Sequence, residues 1–241
     1  VDELSPEMIK VRDYVPEYAV IAHRGSTFWT PEETESAYRW AREIGADYLE
    51  CDMQVSKDGV VLALHDDNLK RTTNIETVFG ETLPREIRKN YYMKIGYSET
   101  EAEEKVKADE ANFVPNLPAY YTYEELLMLD AGSWFNNENL EEALPGLAKE
   151  KQYISTLEDL IMYSKGYRLI RDRNQPGMPR QYSIVGKTGE TITSLSGTAD
   201  IVKYDFGYEI DPVWEAGNKN IPGIYIEFKE PWLNPKGFEQ I

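Results

Sequence analysis

At 241 residues, with 41% hydrophobic and 12% aromatic residues, the chain can bury a substantial core as one large domain or two small ones, and its composition is not that of a disordered protein. A net charge of −17 argues against a sequence-tolerant nucleic-acid binder, which needs a basic face, and means that any anionic substrate must be met by a bound cation or a focused Lys/Arg pair. The one cysteine, Cys51, rules out an intrachain disulfide, and no run of about 18 apolar residues is present to span a membrane.

Residues 18–22 form a short apolar run that breaks at His23-Arg24-Gly25, which predicts a buried strand ending in a functional loop. Thr30-Pro31-Glu32-Glu33 predicts a helix start, with a capping hydroxyl, Pro at the first position and Glu33 placed to close a capping box. Ala37, Trp40, Ala41 and Ile44 follow at helical spacing, and Gly45 ends the helix. Residues 47–55 alternate as a strand. Ser56-Lys57-Asp58-Gly59 carries the Asp-Gly hairpin signal, and the apolar run 60–64 ends at His65-Asp66. The order strand, helix, strand, turn, strand is an α/β pattern.

From about 75 to 220 the pattern is less regular. Residues 98–110 predict a helix with a solvated, charged face. Short helices are expected at 123–129 and 157–163, the second capped by Thr156 with Asp159 three residues on. Hairpin strands are expected at 182–193 and 201–206. Segments of this length are usually lids, binding loops or inserted subdomains. Residues 223–229 then alternate cleanly, and Pro231 and Pro235 break the chain.

Period two puts Glu50 and Asp52 on one strand face, opposite Leu49, Cys51 and Met53. Two adjacent carboxylates repel unless a cation or proton lies between them, and oxygen-only ligation suits Mg²⁺ or Ca²⁺ better than zinc. Taken alone, the pair reads more readily as a solvated strand face. Glu227 shifts the balance: Tyr225, Glu227 and Lys229 share one face of a second strand. The only two histidines, His23 and His65, each stand at the end of a strand-like run, where one can take a proton and the other give one. Arg24 can hold a phosphate bidentately, and Lys229 adds a second positive point. Imidazoles, carboxylates, a guanidinium and an ammonium together make a set suited to phosphoryl transfer.

These residues resemble the glycerophosphodiester phosphodiesterases. The resemblance runs in order through His23-Arg24-Gly25, Pro31-Glu32-Glu33-Thr34, Glu50-Cys51-Asp52, His65-Asp66-Asp67-Asn68-Leu69-Lys70-Arg71-Thr72-Thr73, Leu129-Asp130-Ala131-Gly132-Ser133-Trp134-Phe135, Ser155-Thr156-Leu157-Glu158 and Tyr225-Ile226-Glu227-Phe228-Lys229. It implies an α/β TIM (β/α)8 barrel and a Ca²⁺ or Mg²⁺ bound by Glu50, Asp52 and Glu227. It makes His23 and His65 the acid/base pair, has Arg24 and Lys229 grip the substrate phosphate, and has Glu32 support the site. It also implies attack by the neighbouring glycerol hydroxyl to give a cyclic phosphate, which water opens to leave glycerol 3-phosphate.

The chain departs from the pattern at Glu33, where the family usually has Asn, and Glu33 is expected to face solvent at a helix start. It departs again in length: about four barrel strands can be placed, with that of Glu227 the fourth. Residues 1–241 therefore read as one barrel-like domain holding about the first half of a barrel, with an irregular insertion at about 75–220. Two other readings stand beside the first: a related phospholipase D-type enzyme acting on lipid headgroups, and a non-catalytic fragment or binding module. Tyr182, Tyr204, Tyr208 and Trp214 could line a choline-type pocket, but packing into a small core of the insertion's own is the favoured expectation. A start at Val1 without a leader pattern, together with long inserts, resembles periplasmic or secreted relatives.

Overall fold

The computed structural model describes residues 5–138, 150–194 and 197–229, so the expected break at Pro231 and Pro235 lies outside the described residues. The site is organised by β2 (Tyr48–Val55), whose neighbours are β1 (Ile21–Ala22), β3 (Val61–Ala63) and β8 (Gly223–Phe228). β1 and β8 run parallel to β2, and β3 returns antiparallel to it. The Asp52 carbonyl accepts from Leu64 N–H, whereas the neighbouring Met53 carbonyl accepts from Lys229 N–H. Successive carbonyls of a strand point to opposite edges, so β8 lies along one edge of β2, and β1 and β3 share the other.

The Asp-Gly turn is formed as expected. Gly59 has φ +84°, and Ser56 Oγ donates to Asp58 Oδ1 at 2.6 Å inside the turn. Both faces of β2 are buried, so the bland reading of Glu50 and Asp52 as a solvated face fails: they are 3% and 0% exposed.

The helix expected from Thr30 starts later than that. Helix α1 (Pro6–Tyr14) is followed by α2 (Glu35–Glu43), which is capped by Thr34, and Thr30 donates its hydroxyl to the Ser26 carbonyl at 2.7 Å. The capping box expected between Thr30 and Glu33 is therefore absent. The reason lies at Glu33, whose φ of +56° is incompatible with a right-handed helix. The helix stops where expected, at Gly45 with φ +93°.

Residues 75–220 contribute α3 (Ile75–Val78), α4 (Arg85–Lys94), α5 (Glu99–Ala111), α6 (Tyr123–Leu126), α7 (Ser133–Glu138), α8 (Leu157–Ser164), β4 (Tyr167–Leu169), β5 (Tyr182–Ser194), β6 (Gly197–Phe206), β7 (Tyr208–Ile210) and α9 (Pro212–Ala216). The expected cap and capping box of α8 form between Thr156 and Asp159, and β5 and β6 make the expected hairpin. The expectation of a separate core for this segment is corrected. Tyr204 and Phe206 pack edge-on against Tyr123 and join the same hydrophobic cluster as Leu49 and Met53. Tyr204 also donates its hydroxyl to Asp58 in the β2–β3 turn at 2.6 Å, and Tyr208 donates to Asp159 at 2.6 Å. Charged groups assist: the fully buried Lys57 of the turn meets Asp109 of α5 at 3.0 Å, and Arg88 of α4 is held by Glu125 of α6 at 2.7 Å.

Candidate active site

Parallel register brings the carboxylates together. β2 and β8 pair Glu50 with Tyr225 and Asp52 with Glu227, so Glu227 stands directly beside Asp52 on the neighbouring strand. Glu50, Asp52 and Glu227 each offer an oxygen atom within 4.8 Å of the other two. Burial and the Asp52 charge next to it push the Glu50 carboxyl upward, against the pull of an Arg24 backbone hydrogen bond. The Lys229 ammonium, hydrogen-bonded to Glu227, holds that carboxyl below its usual range. Glu50 Oε1 is buried with no hydrogen-bond partner, and the Asp52 oxygens meet Arg24 Nε at 3.0 Å and Lys229 Nζ at 3.2 Å in ion pairs without hydrogen-bond alignment. An all-oxygen set with an unmatched buried anion fits a hard divalent cation.

His23 and Arg24 follow β1 in a tight loop. Arg24 has φ +56° and Gly25 φ +87°, and a Cβ on Gly25 would come within 2.7 Å of Ala37, so the backbone itself requires glycine there. Arg24 donates its amide to Glu50 Oε2 at 2.7 Å and reaches Glu32 at 3.4 Å through Nη1.

His65 follows β3, and its Nδ1 lies 2.6 Å from Asp66 Oδ1. Arg71 holds Asp66 at 2.6 Å and grips Glu32 at 2.7 and 3.0 Å, so Glu32 joins the two loops that carry the histidines. Arg71 first, with help from His65, holds the Asp66 carboxyl down to about 2. An ionised Asp66 only accepts, so the proton of the pair rests on His65 Nδ1, which leaves Nε2 as the atom offered outward.

Residues 23–183 match the glycerophosphoryl diester phosphodiesterase family model. The chain belongs to this family. The glycerophosphoinositol inositolphosphodiesterase GDPD2 of Mus musculus is 29% identical over 202 residues, covering 80% of this chain and 32% of the mouse protein. The glycerophosphodiester phosphodiesterase of Bacillus subtilis is 29% identical over 141 residues, covering 58% of this chain and 34% of the relative. The chain thus spans about a third of the length of each. Among solved structures, an Oleispira antarctica phosphodiesterase in complex with the product sn-glycerol-3-phosphate is similar at 26% identity and a TM-score of 0.39, covering 64% of this chain and 44% of that one.

In this family member, Glu50, Asp52, Glu227, Arg24, Lys229 and Glu32 form one connected group of contacts. His65 joins it through Asp66 and Arg71, and His23 stands next to Arg24 in sequence. Two participants were missed. Asp66 had a signal, since it directly follows the histidine. Arg71 had none beyond the family block, because a Lys-Arg pair reads as solvated surface. The placement of Glu33 in solvent is wrong: it is 3% exposed and accepts the Asp52 amide at 2.7 Å, because β2 has an unpaired N–H there that must find an acceptor.

The Asp66 network carries a pH signature. A carboxyl depressed from 3.8 to about 2 contributes stability in full above its unfolded value, and this contribution is lost as pH falls through about 2. Thermal unfolding of wild type and Asp66→Asn across acidic pH should show the wild-type advantage whole above 3.8 and shrinking toward about 2. A constant gap over that window would contradict the assignment.

Proposed function

We propose that this chain hydrolyses glycerophosphodiesters to an alcohol and glycerol 3-phosphate, with a divalent cation at Glu50, Asp52 and Glu227 and with His23 and His65 as the acid/base pair. The observation that carries the reading is the convergence of three ligand oxygens within 4.8 Å on neighbouring parallel strands, two of them, from Glu50 and Asp52, within the residues 23–183 that the family model matches. The cation, Mg²⁺ or Ca²⁺, would supply Lewis-acid stabilisation of the phosphate charge. Arg24 and Lys229 bind and orient the phosphate. One histidine takes the proton of the attacking glycerol hydroxyl as its oxygen bonds to phosphorus. The other gives a proton to the alcohol oxygen as its P–O bond breaks. The roles then reverse as water opens the cyclic phosphate. Asp66 keeps His65 turned with Nε2 toward substrate, and Arg71 keeps Asp66 ionised.

On this reading β1, β2 and β8 are one arc of a (β/α)8 barrel, three strands rather than the about four expected because β3 runs antiparallel to β2; their C-terminal ends carry the site, and residues of about 75–220 are an insertion within a single domain. Purified protein should release glycerol 3-phosphate from glycerophosphocholine, chelation should bring turnover to background, and added Mg²⁺ or Ca²⁺ should restore it. Turnover untouched by chelator would overturn the cation assignment.

A lipid-headgroup reading has one observation in its favour. Phe28, 66% exposed, and Trp29 pack edge-to-face in the loop between Arg24 and Glu32, where they could meet apolar substrate. Faster turnover of micellar lysophospholipid than of soluble diester would favour it.

A further inference from the structure

Glu33 is where the chain departs from the family pattern, and its surroundings give the departure a use. Its φ of +56° lies in the left-handed region, where Asn is enriched and a longer carboxylate side chain is not. What holds it there is a gap in a ladder. On one edge of β2, β1 pairs only with Tyr48 and Leu49, and β3 pairs only with Met53, Gln54 and Val55. The Asp52 amide falls between the two and has no strand to donate to. Glu33 Oε1 takes that hydrogen bond at 2.7 Å.

The contact closes a ring. Glu33 N–H donates to the Arg24 carbonyl at 2.9 Å, and Arg24 N–H donates to Glu50 Oε2 at 2.7 Å. Arg24 Nε pairs with Asp52 Oδ2 at 3.0 Å, and the Asp52 amide returns to Glu33. Of the three candidate cation ligands, Asp52 belongs to this ring and Glu50 is tied to it through the Arg24 amide. Glu33 itself stands outside the group of oxygens that converge.

We propose that Glu33 is a positioning residue of the cation site: by filling the gap in the β2 edge it fixes the backbone from which Asp52 projects, and with it the spacing of Asp52 from Glu50. This rests on the reading of Glu50, Asp52 and Glu227 as cation ligands. What the ring uses at position 33 is an acceptor of the right reach. A negative charge is not required, since Glu32, Glu50 and Asp52 already surround it with like charge.

The test is calorimetric titration of Mg²⁺ and Ca²⁺ into wild type, Glu33→Gln, Glu33→Met and Asp52→Asn, each checked by circular dichroism and thermal unfolding. Gln keeps the acceptor; Met keeps the length and approximate volume without it. Glu33→Gln should bind within roughly threefold of wild type, and Glu33→Met about 10–100-fold more weakly, the scale expected when a group that orients metal ligands is removed. A folded Glu33→Met that binds as wild type overturns the proposal, as does a folded Glu33→Gln that loses as much as Glu33→Met. Should Glu33→Met not fold, Glu33→Gln decides: affinity within about threefold supports the proposal and a loss of about tenfold overturns it. Failure of the underlying reading looks different: wild type binds neither cation, or Asp52→Asn binds as wild type does, and the proposal falls with it.

Discussion

Replacing His65 by alanine is expected to slow glycerol 3-phosphate release by about 10²–10⁴-fold at neutral pH, the range for loss of a positioned acid or base, while leaving the fold intact. The side chain is 30% exposed and hydrogen-bonds to Asp66 through Nδ1, so little packing is lost with it. Exposed ion networks of the His65–Asp66–Arg71 kind contribute about 0–1 kcal/mol to stability. A large kinetic effect with a small effect on unfolding therefore separates a chemical role from a structural one. His23→Ala should behave alike. On the proposed mechanism the two histidines serve one reaction, so the double variant should be far less impaired than the product of the singles predicts. Asp66→Asn should fall between wild type and His65→Ala, since it leaves the imidazole present with its tautomer unfixed. Release by His65→Ala within about tenfold of wild type would remove His65 from the chemistry.

The parts of this site that could be read in advance are those set by local rules. Period two alone aligned Glu50 with Asp52 and Glu227 with Lys229, and parallel pairing of the two strands then brought Asp52 beside Glu227. The Asp-Gly turn and the Thr156 capping box were legible for the same reason, since both are settled within four residues. Glu33 was illegible because its conformation comes from a contact 19 residues away: an unpaired amide of β2 draws in a carboxylate that local pattern assigns to a helix. Thr30 and Thr34 offer the same capping chemistry four residues apart, and only that distant contact chooses between them. The long middle segment failed differently. Asp109 lies in the helix expected to show a solvated, charged face, yet it meets the buried Lys57 and Arg88, tying α4 and α5 to the β2–β3 turn. Hydropathy ranks such residues as solvated because it cannot see that their partners arrive from elsewhere in the chain.

The largest stability effect is expected at another of these buried pairs. Asp159→Ala should lower unfolding stability by about 3–5 kcal/mol, read as a shift of the urea midpoint, because it strands a guanidinium in the interior. Arg180 is 1% exposed by side chain and Asp159 0%, and they pair through two contacts of 2.8 Å. Asp159 also accepts the Tyr208 hydroxyl at 2.6 Å and the Thr156 amide at 2.9 Å. Removing it therefore opens the reciprocal half of the α8 capping box and leaves the Tyr208 hydroxyl without its acceptor, as well as unpairing Arg180. The guanidinium is enclosed on the protein side, lying 4.2 Å from the Phe206 ring centroid and donating to Tyr123 Oη at 2.9 Å. The double replacement Asp159→Leu with Arg180→Met removes both charges and should cost less than Asp159→Ala alone, since the greater part of that loss is the unpaired charge rather than the bond. Helix α8 packs on both β3 and β8, the strands that lead to His65 and carry Glu227, so loosening it reaches the site as well as the core. If Asp159→Ala unfolds within about 1 kcal/mol of wild type, water reaches Arg180 and the pair is not enclosed as described.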